Sequence, residues 1–223
     1  MKAIVYCFST LVCVASSITA VTAADMTEEQ KIVYALGVAI SQNLGPFALT
    51  DAELEVLKSG LTDGVQKRAP KVDMQTYGPK IQQLAQSRAA VVAEKEKKAG
   101  AEFLAKAAAE PGVKKTASGA IVKTVKEGSG PTPTAADKVK VHYQGALMDG
   151  TIFDSSIKRG EPATFPLSGV IKCWTEGLQQ VKVGGKARLV CPADIAYGDR
   201  GSPPLIKPGA TLVFDVELLE IVK

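Results

Sequence analysis

The sequence predicts an α+β protein, with an all-helical N-terminal part containing one long helix and a C-terminal antiparallel sheet curled around one short helix. Three observations carry this expectation. Up to about Glu110 the apolar residues recur at spacings of three and four, the period of a helix face. From Ala117 onward they alternate with a period of two, the mark of half-buried strands. The chain has 223 residues, 46% of them hydrophobic and 22% charged, which is ordinary for a folded chain of one or two domains.

Residues 1–24 read as a secretory signal peptide. Met1 and Lys2 give a basic start, Ile4 to Ala20 is apolar or small, and Ala20, Ala23 and Ala24 supply cleavage-type residues ahead of Asp25. Ser9, Thr10, Ser16, Ser17 and Thr19 dilute the run too far for a membrane anchor, and Thr10, Leu11 and Val12 before Cys13 fit a lipid-attachment signal poorly. The mature chain is then expected to hold no transmembrane segment, because no second apolar run of about 18 residues follows. Export also sorts the cysteines. Cys7 and Cys13 leave with the signal, and Cys173 and Cys191 remain in an oxidising compartment, where two thiols invite one disulfide. Bridging requires Cα atoms roughly 4.4 to 6.8 Å apart, so the paired and free forms both stay open.

In the helical part, Ile32, Ala35, Leu36 and Ile40 form the stripe of a first helix, capped by Thr27 with Glu28 and Glu29 in its first turn and ended at Gly45 and Pro46. Thr50 or Asp51 opens a second, with Leu54, Leu57 and Leu61 on one face and Gly64 at its close. A third runs from Met74 or Pro79 to about Ala109 and is stopped by Glu110, Pro111 and Gly112. Some 30 residues at 1.5 Å each make a rod of roughly 45 Å, so thinly apolar that it should stand out as a stalk. Two short helices bury little area alone, and residues 25–110 are therefore expected to complete their core in a homodimer, the alternative being a monomeric helical hairpin folded onto the other half.

Strands are predicted in IVKTVKEG, DKVKVHYQGAL, ATFPL, KARLVCP and TLVFDVELLEIV, joined by turn chemistry in MDGT, RGEP, VGGK and the loop GDRGSPPLIKPGA. A short helix is predicted over 174–181.

Several kinds of chemistry find no support. A net charge of +4 without a lysine block interleaved with aromatics argues against nucleic acid. His142 is the only histidine and nothing has ligand spacing, so neither a metal nor a cofactor is expected, and His142 reads as structural. What stands out is aromatic placement, with Tyr143, Phe153, Phe165, Trp174, Tyr197 and Phe214 all in or beside strands. On spacing alone these are core residues.

The stretches VHYQGALMDGTIFDSS, VIKCWTEGL, DIAYGDRG and ATLVFDVELL, in this order over about residues 117–223, resemble the FK506-binding-protein (FKBP) family of peptidyl-prolyl cis/trans isomerases, or rotamases. The helical part, with YALGVAISQNL and AELEVLKSGL, resembles the dimerisation domain of the exported bacterial Mip and FkpA group. The resemblance implies a signal peptide at 1–24, a helical domain at 25–112 and an isomerase domain at 113–223. It implies catalytic roles for Asp154, Tyr197, Trp174 and Phe153, with Trp174 as the floor of the site. Substrate-binding roles fall to Tyr143, Arg159, Val170, Ile171, Ile206 and Phe214, Arg159 holding the aspartate. Ala163 stands where a pocket phenylalanine is common, Ser202 where a histidine is common, and two residues are missing between Leu167 and Val170. These departures make binding of FK506/rapamycin-type macrolides less secure than catalysis. The implied partners are proline-containing unfolded or nascent exported proteins, met in the periplasm, with the outer membrane surface or secretion as alternatives. The alternative function is a dimeric chaperone or host-interaction factor in which isomerisation is secondary.

Overall fold

The computed structural model describes residues 26–222. The expected signal peptide lies outside the described residues. Two compact units emerge, one ending at Ile40 and the other beginning at Ser41.

The first unit is helix α1 (Glu28–Ser41) up to that boundary. The Thr27 amide donates to Gln30 Oε1 at 2.8 Å and the Gln30 amide to Thr27 Oγ1 at 3.2 Å, a capping box that satisfies donors the helix cannot. None of its residues is buried, and Ile32 is 69% exposed.

The second unit opens with a 3₁₀ turn, Gln42–Phe47, so the chain stays helical through Gly45 and Pro46 before turning at Ala48. Helix α2 (Asp51–Val65) is capped by Thr50, whose hydroxyl accepts the Glu53 amide while Glu53 accepts the Thr50 amide. Helix α3 (Met74–Ala108) spans 35 residues, about 52 Å at 1.5 Å each, and starts on Asp73, which accepts the Gln75 and Thr76 amides. Arg88 in α3 ties the three elements together, donating to the Phe47 carbonyl at 2.8 Å and to both oxygens of Glu53. That guanidinium, helped by the Thr50 amide, holds the Glu53 carboxyl at about 2.

The expected stalk does not stand clear along its whole length. Ala93, Gly100 and Ala107, one every seven residues, are buried where α3 lies on the sheet domain. A Cβ on Gly100 would come within 2.3 Å of Thr211 Oγ1, and one on Gly209 (φ 74°) within 2.4 Å of the Ala93 carbonyl oxygen. The small residues that made α3 look too thinly apolar to pack are what lets backbone approach backbone, where dispersion falls steeply with distance. Ala107 continues the contact into a small cluster with Ile121 and Val190.

Among the described residues seven strands form one antiparallel sheet: β1 (Val113–Lys115), β2 (Ile121–Lys126), β3 (Lys138–Leu147), β4 (Ile152–Ser155), β5 (Ala163–Pro166), β6 (Lys186–Cys191) and β7 (Leu212–Val222). The order is β1-β2-β6-β7-β3-β4, and β5 pairs with the first half of β3 while β4 pairs with the second. Between β4 and β5 lies the one-turn helix α4 (Ser156–Arg159). Alternation decides the faces, burying Val139, Val141 and Tyr143 of β3 and Leu212, Phe214, Val216 and Leu218 of β7. Helix α5 (Lys172–Leu178) packs Cys173, Trp174 and Leu178 into that core, two residues earlier than the sequence placed its start. Cys173 of α5 is bonded to Cys191 of β6 with Cα atoms 5.7 Å apart. The bridge closes a loop of 18 residues, which contributes about 3 kcal/mol on a chain-entropy estimate.

Candidate functional site

Where β3, β4 and β7 meet the start of α5, the inward rows leave a cavity of about 330 Å³. Its centre is the Trp174 ring, which is 4% exposed and meets three aromatics edge to face: Tyr143 at 5.1 Å, Phe214 at 5.3 Å and Phe165 at 5.7 Å between centroids. Phe153 adds a fourth edge against Phe214 at 5.6 Å. Each pair contributes about 0.5 to 1.5 kcal/mol beyond its buried area, so the rings hold one another in place before any ligand arrives. The backbone makes room for them. Gly145 pairs with Phe214 across the ladder, and a Cβ there would lie 2.6 Å from Phe153 Cζ and 2.9 Å from Phe214 Cε1. The Trp174 indole nitrogen is buried without a hydrogen-bond partner among the described residues.

One edge of the cavity is charged. Asp154 pairs with Gly145 in register, accepts the Tyr143 hydroxyl proton in a hydrogen bond and is ion-paired to Arg159. Arg159 also donates to the Tyr143 hydroxyl at 3.0 Å. It is carried by α4, whose first turn is capped by the Ser155 hydroxyl accepting the Lys158 amide. Burial works to raise the Asp154 carboxyl, but the hydrogen bonds from Tyr143 and Arg159 outweigh it and hold the group below the usual carboxylate range. Burial, and then the neighbouring carboxylate, push the Tyr143 phenol up. At neutral pH the edge therefore holds an ionised aspartate beside a protonated tyrosine.

The remaining walls come from two loops. Val170 and Ile171 lead into α5, Ile171 as its N-cap, with its carbonyl accepting the Trp174 amide at 2.9 Å. Tyr197 stands between the 3₁₀ turns Ala193–Ile195 and Gly198–Arg200 and is 40% exposed.

The structure thus brings Tyr143, Phe153, Asp154, Val170, Ile171, Trp174, Tyr197 and Phe214 to one cavity. Arg159 reaches it only through Asp154 and Tyr143. Ile206 is 5% exposed and belongs to the same buried cluster as Trp174 and Phe214, and its backbone exchanges two hydrogen bonds with Ser202, at 2.8 and 3.0 Å. Phe165 and Gly169 line the cavity and were missed as site residues. Phe165 was legible as an aromatic in ATFPL, and its pairing with Val139 puts it beside the inward row of β3. His142 lies on the opposite row of β3 from Tyr143, with Nδ1 3.2 Å from Ser156 Oγ.

An antiparallel sheet wrapped on a short helix, with an aromatic bowl at the helix start and one ionised carboxylate on its edge, is built to bind rather than to attack. The model of FKBP-type peptidyl-prolyl cis-trans isomerases matches residues 130–219, and that of the domain amino-terminal to FKBP-type peptidyl-prolyl isomerase matches residues 29–121. The chain is 43% identical over 207 residues to the FKBP-type peptidyl-prolyl cis-trans isomerase FkpA of Aeromonas hydrophila, covering 87% of this chain and 77% of that one. It is 38% identical over 198 residues to the FKBP-type 22 kDa peptidyl-prolyl cis-trans isomerase of Escherichia coli, covering 87% and 96%. The crystal structure of FkpA from Escherichia coli superposes with a TM-score of 0.65 at 36% identity, over 87% of this chain and 97% of that one. The chain belongs to the FKBP-type peptidyl-prolyl cis-trans isomerases, and it resembles their FkpA-like members along both the helical and the sheet part.

Proposed function

We propose that this chain isomerises X-Pro bonds of exported proteins in the cavity floored by Trp174, assisting their folding. Amide resonance sets a barrier of roughly 18 to 20 kcal/mol to this rotation, which makes it slow enough to limit folding. The twisted transition state has lost that resonance and much of the carbonyl dipole, so a water-poor aromatic bowl favours it over the planar ground state. No proton needs to move and no bond needs to break. Phe153, Phe214 and Trp174 supply the apolar surface. The Ile171 amide and the Tyr197 hydroxyl bind peptide carbonyls, and Asp154, kept ionised by Tyr143 and Arg159, acts electrostatically on the twisting carbonyl. The observation that carries this reading is the ring cluster around Trp174 with a single charged edge. A prolyl-peptide assay tests it: Trp174→Ala and Asp154→Ala should both lose activity, and full activity in Asp154→Ala removes the electrostatic role.

The assembled cavity favours isomerase action over a chaperone or host-interaction role, neither of which calls for such a site. The chain acts in the periplasm as a homodimer through residues 25–110, a reading supported by the exposed apolar side chains Ile32, Val33 and Leu36 of α1 and Val56 and Leu61 of α2. Among the described residues no helix is long and apolar enough to cross a membrane. The domains divide at residues 112 and 113. Macrolides of the FK506/rapamycin type are candidate ligands of the same cavity, less secure than prolyl peptides because Ala163 and Ser202 depart from the family's usual residues.

A further inference from the structure

Tyr197 is carried by a loop, yet a side chain from outside the sheet domain sets that loop's position. Lys97 projects from α3, and its Nζ lies 2.7 Å from Asp199 Oδ1 and 3.2 Å from Asp194 Oδ1. A single ammonium therefore grips the chain three residues before Tyr197 and two residues after it. The far end of the same loop is set by the same helix: Glu96 pairs with Lys207 at 3.6 Å, Gly209 abuts the Ala93 carbonyl and Thr211 abuts Gly100. The two carboxylates are largely exposed, so the contact is open to salt and contributes little to stability as a pair. Its effect is geometric, because two anions on one cation leave the intervening tyrosine few positions.

We propose that Lys97 is a positioning residue for the prolyl site: by holding Asp194 and Asp199 it fixes the Tyr197 hydroxyl where a bound peptide carbonyl meets it. The long helix thereby becomes part of the substrate-binding apparatus. This rests on the reading of Tyr197 as a hydrogen-bond donor to substrate. The hydrogen bonds from Asp199 and Asp194 raise the lysine above its ordinary range and so favour its charged form.

The test uses the full chain and a prolyl peptide, with kcat and KM separated at low salt and at about 1 M salt, where the screening length falls to about 3 Å and exposed ion pairs are weakened. Lys97→Met should raise KM about two- to tenfold at low salt, the worth of one neutral hydrogen bond, with kcat unchanged within twofold. Lys97→Arg should restore KM, high salt should narrow the gap, and Lys98→Met, one residue along on the exposed side, should change nothing. In a Tyr197→Phe background, Lys97→Met should add no further loss, because the two act on one interaction. An unchanged KM in Lys97→Met, an equal rise in the Tyr197→Phe background, or a loss of thermal stability alone each overturns the proposal. If Tyr197→Phe is costly and Lys97→Met is not, only the clamp is wrong. If Tyr197→Phe costs nothing, the assigned role of Tyr197 falls and the clamp with it.

Discussion

The sheet domain and the helical segment treat their apolar side chains in opposite ways. Val139, Val141, Leu189, Leu212 and Leu218 are fully enclosed, whereas Ile32, Leu36 and Leu61 face outward from helices that have recognisable stripes. Seven strands with a period-two pattern can close on one helix and remove their inner face from water. A few helices with one stripe each, separated by alanine and glycine, have too little area to do so. The difference teaches that the sheet encloses its own apolar face and holds a cavity, whereas the helices before it leave theirs exposed, apart from the small-residue face of α3 that lies on the sheet domain.

The most severe way to break this contrast is to remove the keystone of the enclosed half. Trp174→Ala should abolish prolyl isomerisation and destabilise the sheet domain by about 3 to 5 kcal/mol, read from a denaturant midpoint. An unchanged midpoint would mean that the rings do not support one another. Next comes the other half. Ile32→Asp combined with Leu36→Asp should halve the mass seen by light scattering while peptide isomerisation stays within about twofold, since an exposed stripe given charge cannot be covered by a second copy. If the unaltered protein already has the mass of one chain, the dimer reading falls.

A smaller effect sharpens what holds the cavity in shape. Replacing both Cys173 and Cys191 by serine should lower stability by about 3 kcal/mol, and the denatured, unreduced parent should titrate no free thiol. The least costly test concerns acid. Glu53 is held at about 2 in the folded chain against an ordinary 4.5, so the folded state takes up this proton only at lower pH than the unfolded state. Its contribution is complete above about pH 4.5 and is lost as pH falls toward 2. Arg88→Met should narrow that window in the unfolding curve, leaving the part that the Thr50 hydrogen bonds supply and the Asp154 contribution, which is lost in the same acid direction.

Much of this was written locally. The long alternations of β3 and β7 and the capping residues Thr27 and Thr50 fix their elements within a few neighbours, and the prediction followed them. Strands β1 and β4, three and four residues long, are too short to show a period and exist because a neighbouring strand offers its edge. The site divides in the same manner. Tyr143, Trp174 and Phe214 sit in stretches whose pattern is plain, while Phe165 and Gly169 reach the cavity through the β3–β5 pairing and the turn after it. Arg88 and Lys97 could not be found by spacing at all. Their partners lie 35 residues away or more, and only the packed chain brings the charges together.

The small-residue face of α3 also sets how long helix and sheet can stay together. A straight α-helix turns back by about 20° for every seven residues, so Ala93, Gly100 and Ala107 follow a slow spiral and not a straight seam. Over the two intervals between them the notch rotates by about 40°, and one more interval toward the N-terminus would swing it to about 60°. Only a supercoiled partner could follow it further. Because the sheet does not coil with the helix, lengthening the stalk at its N-terminal end would add reach without adding contact, and an inserted residue between Ala93 and Gly100 would turn the notch by about 100° and undock one end or the other.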